Sequence, residues 1–194
     1  TIGYVLRDLL SPEGAFYSAE DADSLDETGH SHEGHFYVFT PDQVRRIIPE
    51  HLVQKALDWY EITDVGNFEG KSIPCRLEHR SVLERDEDIE TIRRLLLAAR
   101  NTRHRPGLDD KVITEWNALM ISSLAEAAAA YANDEWATAA QQAGNFVATT
   151  MRRSDGRWLR TWHRDATPKH LAMAADLANL VDAFTRLYEL SGMA

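Results

Sequence analysis

The chain is 194 residues long, enough for one ordinary domain or two small ones. Its 21 Lys and Arg against 31 Asp and Glu leave a net charge of −10, which argues against a nucleic-acid binder, because such binding rests on cations that neutralise phosphates. The single cysteine, Cys75, excludes an internal disulfide, a CxxC redox motif and a cysteine-based zinc finger, and no apolar run approaches the roughly 18–20 residues that span a bilayer.

The first ten residues place Ile2, Val5, Leu6, Leu9 and Leu10 at helical spacing, and Ser11-Pro12-Glu13-Gly14 stops that helix. The chain opens without Met, without a signal peptide and with this helical pattern already running. The expectation is a piece of a longer protein, with no membrane partner and a cytoplasmic location. Ala15–Ser18 and the aromatic run His35–Phe39 read as two strands of a β-ribbon over about 14–40, joined by an acidic, His-containing loop. Thr40-Pro41-Asp42-Gln43 is a helix start with a capping box, Val44, Ile47 and Ile48 form its buried face, and Pro49 ends it. Leu52, Val53, Ala56, Leu57 and Tyr60 predict another short helix, and residues 63–81 read as irregular.

Four longer stripes follow, placing the main helices at about 85–191. They are Ile89/Ile92/Leu95/Leu96/Ala99, Ile113/Trp116/Met120/Leu124/Ala128/Tyr131, Trp136/Ala140/Ala143/Phe146/Val147/Met151 and Met173/Leu177/Leu180/Phe184/Leu187/Ser191. Asp155-Gly156 is a turn, and Arg157–Arg164 reads as a strand pair or an extended loop. The fold class is therefore mainly α, with successive helix hairpins and a small β-ribbon.

The densest chemistry lies between Glu20 and His35. An EF-hand register starting at Asp21 fails, because Leu25, Asp26 and His32 stand where a ligand, Gly and Glu are required. His30, His32 and His35 do not make HExxH, and Gly34 breaks any helix there, so no metal and no cofactor is expected. Asp26 to His32 reads as a solvated acidic loop. Glu20, Asp21 and Asp23 differ: they abut an apolar strand, where partial desolvation makes general acids. Asp109 and Asp110, flanked by Arg105 and Lys111 ahead of a helix, suit either a charge-compensated corner or an acid/base pair. Asp176 falls at the edge of the last stripe, and Trp158, Trp162 and His163 supply surface that either packs a core or stacks on sugar rings. Cys75 reads as a small packing residue.

Five segments resemble one family in order and spacing: Gly14–Ser24, Glu33–Thr40, Asn67-Phe68-Glu69-Gly70-Lys71, Arg105–Lys111 and Trp116–Ile121. The chain resembles the bacterial YyaL-type proteins and their spermatogenesis-associated animal relatives. The resemblance implies an (α/α) toroid of the six-hairpin glycosidase and N-acylglucosamine 2-epimerase kind, of which this chain is a slice, with a thioredoxin-like domain upstream. Two departures stand out: Trp116-Asn117-Ala118 where the family tends to Trp-Asn-Gly, and Asp176-Leu177-Ala178 where it tends to Asp-Tyr-Ala.

What this implies is a carbohydrate-active hydrolase or epimerase with a carbohydrate ligand in a central cavity. Glu20, Asp21, Asp23, Asp109 and Asp110 are the candidate catalytic carboxylates. His35, Tyr37, Arg105, Lys111, Trp116 and Asn117 are the candidate substrate contacts, with His35 as an epimerase base. The alternative is a non-catalytic toroid that binds a glycan or a protein and presents the thioredoxin-like domain.

Overall fold

The computed structural model describes residues 1–192. In chain order the elements are α1 (Ile2–Tyr4), continued by a π-helical turn over Val5–Leu9, β1 (Ala19–Glu20), β2 (Asp23–Leu25), β3 (Ser31–Glu33), α2 (Pro41–Ile47), α3 (Glu50–Trp59), α4 (Glu87–Arg100), β4 (Leu108–Asp109), β5 (Val112–Ile113), α5 (Thr114–Tyr131), α6 (Asp134–Thr150), β6 (Leu159–His163), β7 (Ala166–Leu171) and α7 (Ala174–Ser191). At about 48% helix the fold is mainly α, and its sheets are small and antiparallel. No described helix is long and apolar enough to cross a membrane.

Two compact units divide the chain. Unit 1 comprises residues 1–20 and 108–194, and unit 2 comprises residues 21–107. In unit 1, α5 and α6 are joined only by Ala132 and Asn133. Ala132 closes α5 in the left-handed conformation, and the Asn133 side chain accepts from the Trp136 N–H to start α6. So short a link turns α6 back along α5. α7 packs mainly on α5, and the core is built from Ile121, Leu124, Ala140, Ala143, Val147, Met151, Leu180 and Ala183. Gly144 lets α7 come close: a Cβ there would lie 2.4 Å from Leu187 Cδ1. β6 pairs with β5 on one side and β7 on the other, so Arg157–Arg164 does hold a strand within a sheet.

Unit 2 is built on α2, α3 and α4 around Val44, Ile48, Leu52, Ala56, Ile89, Ile92 and Leu96. The Thr40/Gln43 capping box forms as read, with the Thr40 N–H donating to Gln43 Oε1 at 2.9 Å and Thr40 Oγ1 accepting from the Gln43 N–H at 3.3 Å. Asp86 caps α4 by accepting from the Ile89 N–H.

Two expectations are corrected. The ribbon between Ala15–Ser18 and His35–Phe39 does not form. Phe16 bridges Leu10, and Phe39 bridges Ser72. Residues 34–38 turn instead, with the Tyr37 N–H donating to the Gly34 carbonyl at 2.9 Å, and the ribbon that does form is β2–β3. The buried face of α5 is also rotated from the one expected: Asn117, Ala118, Ile121, Leu124, Ala125 and Ala128 are inside, whereas Trp116 is 50% and Tyr131 76% exposed. α5 is apolar nearly all round, so its own period does not select a face. Ala118, Ala125 and Ala128 allow close helix approach, and neighbours on two sides decide.

Candidate functional site

In unit 1 the turn after the first helix lies against α6. Ser11 holds that turn: its hydroxyl accepts from the Ala15 N–H at 3.1 Å, and its N–H donates to the Ala15 carbonyl at 2.7 Å. Gly14, at φ +94°, brings the backbone so close that a Cβ would sit 3.3 Å from Gln142 Cβ. Beside this contact a cleft of about 770 Å³ opens, lined by Glu13, Gln142, Asn145, Phe146, Thr149 and Trp162. Trp162 meets Phe146 edge to face at 5.2 Å, which fixes the indole as one wall. Gln142, Asn145 and Thr149 line the cleft from the same face of α6 as Phe146.

Glu13 brings a charge to the lining. Arg164 Nη2 lies 2.9 Å from Glu13 and 3.0 Å from the Tyr17 hydroxyl. Burial resists ionisation of Glu13, but the Arg164 guanidinium, the residue's own N–H and the Ser11 hydroxyl together outweigh it and hold the carboxyl below its ordinary value. Burial pushes the Tyr17 hydroxyl up against the opposing pull of Arg164. Next along β6, His163 Nε2 is 2.7 Å from Asp110 Oδ1. A carboxylate at this range fixes the tautomer and orientation of an imidazole, the arrangement a proton-transfer base needs.

The other predicted residues fall as follows. In unit 1, Glu20 accepts from the Tyr4 hydroxyl at 2.8 Å. β1 and β4 pair Ala19 with Asp109 and Glu20 with Leu108, so the Glu20 and Asp109 side chains leave this ladder on opposite faces. Asp109 pairs with Lys111 at 3.1 Å, while Asp110 meets His163; the two neighbouring aspartates thus answer to different partners. Trp116 is half exposed on α5. Asn117 is buried, and its amide meets only main chain: the Phe16 N–H and carbonyl at 2.8 and 2.9 Å, and the Ile113 carbonyl at 3.0 Å.

Asp21, Asp23, His35, Tyr37 and Arg105 lie in unit 2. Asp21 Oδ1 accepts from the Asp23 N–H at 3.2 Å, and Asp23 sits on β2 across from Glu33. His35 and Tyr37 belong to the turn before Phe39, which Arg103 clasps by donating to the carbonyls of His35, Phe36 and Val38 at 3.2, 3.0 and 2.7 Å. Burial, aided by Lys71, pushes the His35 imidazole below its ordinary value. Arg105 stacks 5.6 Å from the Phe36 ring. His32 lies 3.1 Å from Asp26, and His30 Nδ1 lies 2.7 Å from the Thr28 hydroxyl. Among the described residues no three His, Cys, Asp or Glu side chains are grouped to hold a metal ion. Cys75 is half buried and donates its thiol to Glu61 at 3.0 Å.

Sequence reasoning missed Glu13, Tyr17 and Arg164, whose partners lie about 150 positions apart, and it missed the depth of Asp176. That carboxylate is fully buried and accepts from the Glu115 N–H at 3.0 Å, the Met173 N–H at 2.7 Å and Arg160 at 2.7 Å. The family's Tyr position beside it is Leu177, 43% exposed.

No protein-family profile matches the chain. Among curated proteins, spermatogenesis-associated protein 20 from Homo sapiens is 30% identical over 97% of this chain, and its Mus musculus counterpart is 31% identical over 97%. An uncharacterised Caenorhabditis elegans protein, B0495.5, is 26% identical over 96%. The chain spans about 29% of the length of the human relative. The resemblance carried by the five motifs thus holds across nearly the whole chain, which is a relative of spermatogenesis-associated protein 20 that spans less than a third of that protein's length.

Proposed function

We propose that this chain is a slice of an (α/α) toroid that takes a carbohydrate ligand in the unit 1 cleft. The observation that carries the reading is the cleft's lining: Trp162, packed edge to face on Phe146, shares it with Gln142, Asn145 and Thr149, which stand beside Phe146 on one face of α6. An indole face covers the apolar face of a pyranose, and amide and hydroxyl groups match its equatorial hydroxyls. The α5–α6 hairpin with α7 packed on it supports the toroid. For chemistry, Glu13 is the carboxyl of this reading that lines the cleft, held by Arg164, and serves as proton acceptor; the Asp110–His163 pair lies outside the lining. Glu20 and Asp109, on opposite faces of their ladder, do not make a glycosidase pair with each other, since both groups of such a pair flank one bond.

The test is a glycan array and a turnover screen by NMR on the full-length parent protein. Binding of at least one glycan is expected, lost in Trp162→Ala. Glu13→Gln is expected to keep binding and lose turnover. Glycan binding that survives Trp162→Ala unchanged overturns the site, and binding that depends on Trp162 without any turnover assigns a lectin-like role.

A further inference from the structure

Among the described residues that line the unit 1 cleft, Glu13 is the only side chain with a formal charge. Its side chain is 33% exposed, so the carboxylate can reach what fills the cleft. Arg164 is not part of the lining. One of its nitrogens, Nη2, reaches both carboxylate oxygens, at 2.9 and 3.0 Å, and the Tyr17 hydroxyl at 3.0 Å. The guanidinium is thereby turned to Glu13 and Tyr17, and it is the carboxylate that a ligand meets.

The neighbouring polar groups lean the same way. The Thr149 hydroxyl donates to the Asn145 carbonyl at 2.8 Å, which commits its proton and leaves its lone pairs for a ligand. Gln142 and Asn145 supply amides that both donate and accept. The lining thus offers a carboxylate, a hydroxyl left as an acceptor and two amides, with no cation among the described residues. A sugar hydroxyl suits such groups, because it donates as well as accepts. Sulfate and carboxylate groups accept only. Placed here, they meet a like charge at short range, and no lining group neutralises theirs.

We infer that the cleft selects neutral sugars and refuses acidic ones, and that Glu13 sets this selectivity by presenting its own charge while holding Arg164 to itself. This selectivity rests on the carbohydrate reading of the cleft and names the class of sugar within it. Without the Glu13 charge, Arg164 becomes a cation that no lining group balances, and it can then pair with an anionic ligand.

The test is a glycan array followed by calorimetry on the full-length parent protein, comparing each neutral glycan with its sulfated and uronate forms. Only glycans whose binding is lost in Trp162→Ala are scored, which confines the reading to this cleft. The acidic forms are expected to bind ~10-fold more weakly than their neutral parents, or worse, the size of one lost or opposed charge-assisted contact. In Glu13→Gln the neutral parents are expected to keep binding, and the acidic forms to draw level or move ahead. In the double variant Glu13→Gln with Arg164→Gln that gain is expected to vanish. Acidic forms that as a group match their neutral parents in the unaltered protein overturn the proposal, and this comparison needs no Glu13 variant to fold. A gap that Glu13→Gln leaves unchanged also overturns it. Both of those results leave the carbohydrate reading standing, whereas the lack of any Trp162-dependent glycan overturns that reading and the selectivity with it.

Discussion

Asn117 pairs with Phe16 as one strand pairs with another: its amide oxygen accepts from the Phe16 N–H at 2.8 Å, and its amide nitrogen donates to the Phe16 carbonyl at 2.9 Å, across 101 positions of sequence. Phe16 is 4% exposed, so water does not substitute for these contacts. Asn117→Ala leaves a buried N–H and a buried carbonyl without partners, at ~1–3 kcal/mol for each such group. The expected outcome is a loss of ~2–4 kcal/mol of unit 1 stability. Urea denaturation followed by Trp fluorescence reads it, since Trp116, Trp136, Trp158 and Trp162 all lie in unit 1. Asn117→Asp is expected to do no better than Ala, because its second oxygen faces the carbonyls of Phe16 and Ile113.

Asp176 anchors the start of α7 to α5 and to β6 through three donors. Removing the carboxylate leaves the Glu115 and Met173 N–H groups without an acceptor, at ~1–3 kcal/mol for each such group, while Arg160 keeps Glu115 at 3.5 Å. Asp176→Ala should therefore lower the urea midpoint as much as any single change in unit 1. The double variant Asp176→Leu with Arg160→Met should recover only the share due to the guanidinium, because the Glu115 and Met173 N–H groups still lack their acceptor. A non-additive double-mutant cycle is the expected reading, and additive losses would mean the two groups act separately.

Gly66 and Gly70 form an internal control. Both have positive φ, at +71° and +73°, but a Cβ on Gly66 would lie 2.2 Å from the Lys71 carbonyl oxygen, whereas nothing lies within 4 Å of one on Gly70. Gly70→Ala is expected to cost only backbone strain, of order 1–3 kcal/mol, and Gly66→Ala clearly more, because main chain has to move. Thermal unfolding of the two variants side by side reads the difference.

Asp26 sets the acid end of the β2–β3 ribbon. The Thr28 hydroxyl, followed by the His30 and Thr28 N–H groups and His32, holds its carboxyl well below the usual carboxylate range. A depressed carboxyl contributes stability that is fully present above its ordinary value of 3.8 and is lost as pH falls through the folded value. Asp26→Asn should therefore be less stable than the parent by a constant margin above about pH 5, narrowing only below 3.8. Amide shifts of Thr28 and His30 should titrate with a midpoint below that value. A midpoint at or above it would mean that the loop does not hold the carboxylate as described.

Local signals in the sequence were legible where neighbours in sequence decide the structure. The Thr40/Gln43 box, the α4 stripe through Ile89, Ile92 and Leu96, and the α6 stripe through Ala140, Ala143 and Val147 all appear as the spacing predicts. What failed was settled at long range. Phe16 and Phe39 sit in strand-like runs, yet their partners are Leu10 with Asn117, and Ser72, and no local pattern names those partners. The face of α5 was illegible because an Ala-rich, apolar helix offers several faces to its neighbours. The acidic residues were visible as a class, but their partners were not: Glu13 meets Arg164 across 151 positions, and Asp110 meets His163 on a strand read only as an alternative.

The chain enters and leaves unit 2 at adjacent points. The Asp21 N–H donates to the Gly107 carbonyl at 2.7 Å, and immediately outside that bond Ala19 and Glu20 pair with Asp109 and Leu108. Such a layout makes unit 2 a guest in a host whose own ladder already brings the two cut ends together. The host pays only the closure entropy of a loop, which grows by ~0.6 kcal/mol for each doubling of loop length. Evolution can therefore lengthen, trim or exchange the guest at this seam without redesigning the host core, and an engineer can excise it by joining Glu20 to Leu108 through a two-residue hairpin turn.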